Sequence, residues 1–354
     1  MGKWEVSAGK WHGSADDTAL KTTQDARFYG LSAKLDSPFS NDGKDLVVQY
    51  VVKNEQKLDC GGAYVKLLPG GKSFPTASFG GDTPYSVMFG PDICGSNKRT
   101  HVILNHPSKE DNLLIKKDVK TETDQLSHLY TLHIKADNTF EVFIDNKSVR
   151  AGSLEEEFDF LEPKEIEDPN VSKPTDWVDE RMIPDPDDKK PEGFDDIPPE
   201  IPSPDAKRPE DWDDKDDGEW EAPMIPNPDY MGDKWMPKMI ENPDYKGPWE
   251  HPKIPNDKYK PDPKLHAQCK DCTHIGFELW QVTSGTSFDN IIVTDSLAEA
   301  QAFAEETFFK MQAKEKKMHD DVKEAEREEN ARKAKEAEAA AKFQADMEEP
   351  HSEL

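Results

Sequence analysis

Residues 166–262 repeat themselves in two ways, and this double repeat restricts the possible fold more than any other stretch of the chain. Three copies of one unit come first: IEDPNVSKPTDWVDERM, IPDPDDKKPEGFDDIPPE and IPSPDAKRPEDWDDKD, in register at Pro169, Pro186 and Pro204. Three copies of another follow: GEWEAPMIPNPDYM, GDKWMPKMIENPDYK and GPWEHPKIPNDKYK, in register at Asn227, Asn242 and Asn256. Nineteen of the 28 prolines lie in this window. Proline fixes its own φ, has no backbone donor and turns the preceding residue away from helix, so no helix of ordinary length fits. Aliphatic residues are too sparse to offset the entropy of ordering a packed core. A disordered acidic linker is the simplest alternative. Against it, every unit brings a large ring at a fixed offset: Trp177, Phe194 and Trp212 in the first set, Trp220, Trp235 and Trp249 with Tyr230, Tyr245 and Tyr259 in the second. Rings bury much area at small side-chain entropy cost. Three units of one kind and then three of another predict an arm that goes out and comes back, each outward unit beside a returning one.

The 354 residues have room for two domains. The net charge is -28, and the arm window alone, with 28 acidic and 13 basic side chains, carries -15. Such a field repels nucleic acid and attracts calcium or basic partners. No run approaches the ~20 apolar residues of a membrane helix, so no membrane span is expected. The first residues, MGKWEVSAG, lack the apolar segment of a signal peptide. The last four, His351-Ser352-Glu353-Leu354, are a close variant of the tetrapeptides that retain proteins in the endoplasmic reticulum. A retention tail without an import signal is contradictory, and the simplest expectation is an N-terminus that was removed or replaced. In that oxidising lumen the four cysteines are expected to pair.

Residues 1–165 read as β. LVVQYVVK (46–53), AYVKLL (63–68), YSVMFG (85–90), HVILN (101–105) and NLLIKKDV (112–119) are short, rich in β-branched and aromatic residues, and divided by turn formers. HLYTLHIKADNTFEVFIDNKSV (128–149) reads as a three-strand meander turning at Asp137-Asn138 and Asp145-Asn146. Many short strands suggest a sandwich of antiparallel sheets. After the arm, IGFELWQV (275–282) and SFDNIIVTD (287–295) resume the pattern. They are too few for a separate core, so residues 263–311 are expected to complete the first sandwich and the arm to be an insertion. From Ser296, an N-cap with Glu299 in the first turn, the chain reads as helix. Leu297, Ala300, Phe303, Ala304, Phe308 and Met311 share one face and should pack on the sandwich. Residues 312–354 mix Ala, Glu and Lys and are expected to be a solvated helical tail with no core of its own.

Several long stretches resemble the calreticulin and calnexin family of lectin chaperones: TTQDARFYGLSAKL (22–35), LDCGGAYVKLLP (58–69), YSVMFGPDICG (85–95), HLYTLHIKADNTFEVFID (128–145), the six arm units, and ELWQVTSGTSFDNIIVTD (278–295). The resemblance implies a mostly β fold: a legume-lectin-like antiparallel β-sandwich with an inserted proline-rich hairpin arm, to which the helix from Ser296 adds a C-terminal α-helix. It implies binding rather than catalysis, the ligand being the terminal glucose of monoglucosylated N-glycans on folding glycoproteins. The positions carried over are Tyr64, Lys66, Tyr85, Met88, Asp92, Glu278 and Trp280. Carboxylates and lysine bond vicinal hydroxyls, and aromatic faces pack on the apolar face of a pyranose. On composition alone the rings would be read as core. Glu278 stands where the family usually has Asp, so the carboxylate sits one bond further out.

The resemblance also pairs Cys60 with Cys94 and makes Asp289 the side-chain ligand of a calcium site. That site's other ligands are carbonyls near residues 16–18 and a first strand that this chain is expected to lack. Residues 301–354, with 15 acidic and 10 basic side chains, are expected to store less calcium than the family's acidic tails. Cys269-Lys-Asp-Cys272 is outside the family pattern. It lacks the helix context of a redox motif, although His266 and His274 flank it at a spacing suggestive of zinc. A local disulfide or two exposed thiols is the simpler expectation.

Three functions compete. The first is a monomeric lectin chaperone of the endoplasmic reticulum lumen. Its arm would recruit a thiol oxidoreductase of the protein disulfide isomerase family at Asp217, Gly218, Glu219 and Trp220, where the two repeat types meet. The second is a calcium storage or signalling protein with secondary lectin activity. The third is an enzyme, for instance a glycosidase working between Asp92 and Glu278 at ~5 to 9 Å; the family implies no catalysis.

Overall fold

The computed structural model describes residues 1–70, 79–213, 215, 218–230, 232 and 234–348, the last six by backbone alone. Asp217 and the His351–Leu354 tail lie outside the described residues. Among the described residues, twelve strands precede the arm: β1 (Trp4–Ser7), β2 (Ala19–Thr22), β3 (Arg27–Phe39), β4 (Leu46–Asn54), β5 (Cys60–Gly62), β6 (Val65–Pro69), β7 (Val87–Cys94), β8 (Asn97–Leu104), β9 (Leu113–Leu114), β10 (Ser127–Ile134), β11 (Thr139–Ile144) and β12 (Lys147–Ser153), followed by the single turn α1 (Leu154–Glu157). The arm holds β13 (Glu165–Glu167), β14 (Met182–Pro184), β15 (Glu200–Pro202), β16 (Met224–Pro226), β17 (Met239–Glu241) and β18 (Lys253–Pro255). After it come β19 (Cys272–Gln281), β20 (Thr286–Thr294), α2 (Leu297–Ala304), a π-turn (Glu305–Phe309) and α3 (Lys310–Glu348).

Two antiparallel seven-stranded sheets form a sandwich. Sheet A runs β1-β2-β20-β4-β10-β11-β12; sheet B runs β3-β19-β5-β7-β8-β9, with β6 also pairing β19 and β7. The two strands after the arm thus lie inside, one in each sheet, and complete the sandwich begun before it. Alternation decides which side chains meet between the sheets. On β4, Val48, Tyr50 and Val52 turn inward, joined by Tyr130 and Leu132 of β10 and Phe140 and Val142 of β11. Opposite them are Val65, Leu67, Val87, Phe89, Phe277 and Leu279. Each such residue contributes about 1.5–3 kcal/mol by leaving water. Asp145 and Asn146, both at positive φ (52° and 58°), make the turn between β11 and β12, as a two-residue hairpin with right-handed strand twist requires.

β1 and β2 are not among the expected strands, and two further stretches depart from expectation. NLLIKKDV is a strand only at Leu113–Leu114. Ile115 and Val119 are buried, but their backbone bonds sit out of ladder, Ile115 N donating to Val102 O and Thr100 N to Val119 O. β3, 13 residues long, has no counterpart in the predicted strands. It is an edge strand, largely exposed, so it lacks the apolar alternation that betrays a half-buried one.

Pro163–Asn256 is a unit of its own, apart from Met1–Glu162 with Asp257–Leu354. Residues 257–262, assigned to the arm by repeat register, therefore fold with the sandwich; Tyr259 Oη donates to Glu155 Oε1 at 2.6 Å. In the arm the outward and returning units pair in nested order, β13 with β18, β14 with β17, β15 with β16. Each bridge sets one isoleucine opposite another: Ile166 and Ile254, Ile183 and Ile240, Ile201 and Ile225. The register asparagines fasten these bridges. Nδ2 of Asn227, Asn242 and Asn256 donates to the carbonyls of Pro198, Glu180 and Pro163 at 2.8, 3.0 and 2.8 Å. Two of the rings also bond to the backbone: Trp177 Nε1 donates to Gly247 O on the returning half at 2.8 Å, and Trp212 Nε1 to the nearby Gly218 O at 2.9 Å.

The C-terminal helix lies on the outer face of sheet A. Ser296 Oγ caps it by accepting from Glu299 N at 3.2 Å. Ala304 and Phe308 pack on Val51 and Leu129, and Gln49 Nε2 donates to Ala300 O at 2.8 Å. The tail expected to have no core keeps contact further on: Glu315 is buried, the His319 ring stands edge-on to Trp11 at 4.9 Å, and Lys323 Nζ lies 5.3 Å from the centre of that ring. Between residues 324 and 342 every side chain is exposed. Arg332 with Glu336 and Lys333 with Glu329 supply i,i+4 pairs there.

Below β10, His128 bridges Asp124 and Asp145, both at 2.9 Å. Burial pulls its pKa down, but the two carboxylates outweigh it and hold the imidazolium up to about 10. A raised folded pKa gives stability that is complete below the unfolded value near 6.5 and is lost as pH climbs toward 10. Melting temperature should therefore fall across that window by the equivalent of a few kcal/mol. A His128→Gln variant should be less stable at pH 6 and lose most of that slope; an identical slope in the variant would refute the assignment.

Candidate functional site

The outer face of sheet B collects the side chains that the alternation turns away from the core. Lys66 on β6 lies opposite Met88 of β7 on one side and Gly276 of β19 on the other. It is buried, and its Nζ donates to Glu278 Oε2 at 2.9 Å. The same ammonium stands 4.8 Å from the centre of the Tyr85 ring. So the longer Glu278 side chain reaches a partner. Gly62 sits beside Tyr64; a Cβ there would come within 2.4 Å of the tyrosine ring, and glycine lets the ring lie over its own strand. Gly62 in turn is paired with Asp92. Asp92 Oδ2 is 2.9 Å from His101 Nε2, and the His101 and Tyr64 rings meet edge to face at 6.0 Å. Burial, then the charges of Glu278 and Asp92 and the neighbouring Tyr85, push the Tyr64 hydroxyl well above the usual tyrosine range. It therefore stays a neutral donor.

Tyr64, Lys66, Tyr85, Met88, Asp92 and Glu278 are thus one neighbourhood. Trp280, two residues along β19 from Glu278, stands at its side, 37% exposed, with its ring 4.6 Å from that of Phe28. Two residues of this face had no signal in the sequence reading. His101 is fixed by its bond to Asp92, and Phe28, 58% exposed, is fixed by pairing opposite Trp280. The exposed phenylalanine beside an exposed tryptophan becomes visible only through the strand register. The Cys60–Cys94 disulfide closes the edge of the site, joining directly opposed residues of β5 and β7.

Asp289 lies elsewhere, on the outer face of sheet A, where a bulge with Asn290 at φ 50° interrupts β20. It lines a cavity of about 40 Å³ with His12, Asp17, Lys53, Ser287, Phe308, Met311 and Glu315 among others. Burial, with the Asp17 carboxylate adding to it, holds the Asp289 carboxyl above its ordinary range. Ser287 Oγ and His12 Nδ1 are buried there with no hydrogen-bond partner among the described residues. An unfilled hydroxyl oxygen, that of Ser287, beside the carboxylates of Asp17 and Asp289 suits a hard cation. Among the described residues no three His, Cys, Asp or Glu side chains gather to hold a metal, so such a cation would rely on hydroxyl, carbonyl and water oxygens, a ligand set calcium accepts.

Of the arm residues singled out, Gly218 and Glu219 are exposed, Gly218 at φ +82°, and Trp220 is half-buried; all belong to the separate arm unit. Cys269 and Cys272 form a second disulfide. Both are fully buried, which rules out exposed thiols. Cys269 N donates to Asn41 Oδ1 at 2.8 Å, Cys272 opens a strand rather than a helix, and His266 Nδ1 and His274 Nδ1 are engaged by Asn138 and Thr273. The helix context of a redox motif is absent here, and the two cysteines and two histidines do not gather as a metal cluster among the described residues. Among the described residues no helix is long and apolar enough to cross a membrane.

A family model described as the calreticulin family matches residues 1–217 and 196–293. Calreticulin of Chlamydomonas reinhardtii is 55% identical over 324 residues, 91% of this chain and 76% of that protein. Calreticulin of Dictyostelium discoideum is 53% identical over 329 residues, 93% and 76% of the two chains. Among solved structures, the T. cruzi calreticulin globular domain superposes with a TM-score of 0.63 at 32% identity, covering 92% of this chain and 91% of that one.

Proposed function

The chain belongs to the calreticulin family of calcium-binding, non-enzymatic lectin chaperones, and on that footing we propose that it holds folding glycoproteins by the terminal glucose of monoglucosylated N-glycans. The observation that carries this reading is the Lys66–Glu278 pair flanked by Tyr64 and Asp92 on one sheet face. An ammonium, two carboxylates and a neutral phenol give donors and acceptors for vicinal hydroxyls, and Trp280 with Phe28 offers ring surface for the sugar's apolar side. The protein acts as a monomer in the lumen of the endoplasmic reticulum. Calcium binds at Asp289. The arm recruits a thiol oxidoreductase of the protein disulfide isomerase family through its tip, where Glu219 and the half-buried Trp220 form an acidic anchor with an aromatic centre.

Glycan binding decides the matter. A glucose-capped high-mannose glycan should bind with micromolar affinity or better and its uncapped counterpart at least ten times more weakly, with no sugar released on prolonged incubation. Equal binding of the two would overturn the specificity, and release of glucose would turn the site into a hydrolase.

A further inference from the structure

The cavity at Asp289 has an unusual fourth wall: it is closed by the C-terminal helix. Three helix residues, Phe308, Met311 and Glu315, line it beside sheet residues Val51, Lys53, Ser287 and Asp289. The approach is close, since a Cβ on Gly13 would come within 2.6 Å of Met311 Cβ. The π-turn Glu305–Phe309 interrupts the α-helical register here, and Phe308 enters the cluster of Val51, Leu129 and Ala304. Two turns later Glu315 accepts from Ser127 N and Oγ, both at 3.0 Å, and lies 3.8 Å from Lys53 Nζ. Beyond it Met318 Sδ accepts from His12 N at 3.4 Å. The segment carrying His12 and Asp17 is therefore held between helix and sheet.

The charges around this cavity do not balance. Asp17, Asp289 and Glu315 are three acids. Lys53 is the one lysine among the lining residues, and it is shared with Glu55 at 3.6 Å and spends a further bond on Trp11 O at 2.8 Å. Three acids and one lysine leave two negative charges, which the two positive charges of a divalent cation would match while Glu315 is docked. With the helix lifted away the cavity is open on one side and has lost a carboxylate.

Resting on the calcium reading above, we infer that the C-terminal helix is a cation-dependent latch: calcium at Asp289 and docking of the segment Glu305–Lys323 reinforce each other. Linkage makes the effect reciprocal, so whatever factor calcium adds to docking, docking adds to calcium affinity. The exposed part of α3 after residue 323 takes no part.

The test uses the full chain and calcium chloride. Hydrogen exchange at residues 305–323 should slow at least tenfold on adding calcium, while residues 330–342 exchange alike with and without it. By calorimetry, Glu315→Gln and Phe308→Ala should each weaken the cation site five- to twentyfold, the site being defined as the binding lost in Asp289→Asn. In Asp289→Asn the helix should show the same exchange with and without calcium. Calcium bound with unchanged affinity in both helix variants, or exchange at 305–323 indifferent to calcium, overturns the latch and leaves the calcium site standing. No binding sensitive to Asp289→Asn overturns the calcium reading and the latch together.

Discussion

Lys66→Ala should abolish detectable binding of a glucose-capped glycan, a loss of at least about 100-fold, and should also destabilise the sandwich. The two effects have different origins. Lys66 is buried and its ammonium neutralises Glu278, whose own side chain is 15% exposed. Deleting one partner leaves a carboxylate in a poorly hydrated site, which costs on the order of 3 kcal/mol. The ligand loses a donor and meets a misplaced carboxylate, and two charge-assisted bonds at ~1.5–3 kcal/mol each account for the fall in affinity. Adding Glu278→Gln removes the stranded charge, so the double variant should regain most of the stability and none of the binding. Urea denaturation and calorimetric glycan titration of the same three proteins separate the terms. A folded Lys66→Ala protein that binds within threefold of the parent would take the site off this face.

The disulfide at the edge of the site has the largest effect on the fold. Cys60 and Cys94 are 34 residues apart in sequence and directly opposite in the sheet. Closing a loop of that size in the unfolded chain stabilises by about 4 kcal/mol in the chain-entropy model, and typical losses on removal are 2–4 kcal/mol. Cys60→Ser with Cys94→Ser should lower the urea midpoint accordingly and weaken glycan binding about tenfold, because the Gly62–Asp92 pair lies two residues along β5 and Tyr64 just beyond its end. The pair Cys269–Cys272, only three residues apart, closes a far smaller loop, about 2 kcal/mol in the same model, and its removal should leave glycan affinity near that of the parent. Equal midpoints for parent and Cys60/Cys94 variant would show that the sheet register, not the bond, holds this edge.

Much of this was legible in the residues, for physical reasons. The arm's hairpin was readable because its register residues act in the bridges themselves: the repeated asparagines donate across the ladder and the repeated isoleucines face one another. The meander of β10, β11 and β12 announced itself through Asp145-Asn146, a pair suited to left-handed backbone. The site residues were named by likeness to a family, since nothing in their spacing distinguishes a sugar platform from a core. What stayed hidden depends on partners far away in the chain. β3 is exposed along an edge and has no apolar rhythm. Glu315 reads as one more solvated charge until Ser127 and Lys53 are brought to it, and His319 and Lys323 acquire an apolar surface only from Trp11. His101 and Phe28 needed the strand pairing that sets them against Asp92 and Trp280.

The nested bridges of the arm carry a rule for how such a protein can change in length. Each isoleucine bridge uses one outward and one returning unit, and among the described residues no hydrophobic core cluster includes a residue of the arm. Stability in such an array is close to a sum over neighbours. A gene that gains or loses a single unit leaves an isoleucine and a register asparagine without their opposite numbers and shifts every bridge beyond them. A matched pair, one from each half, can be added or removed with the remaining rungs intact. Arm length in this architecture is therefore heritable only in two-unit steps.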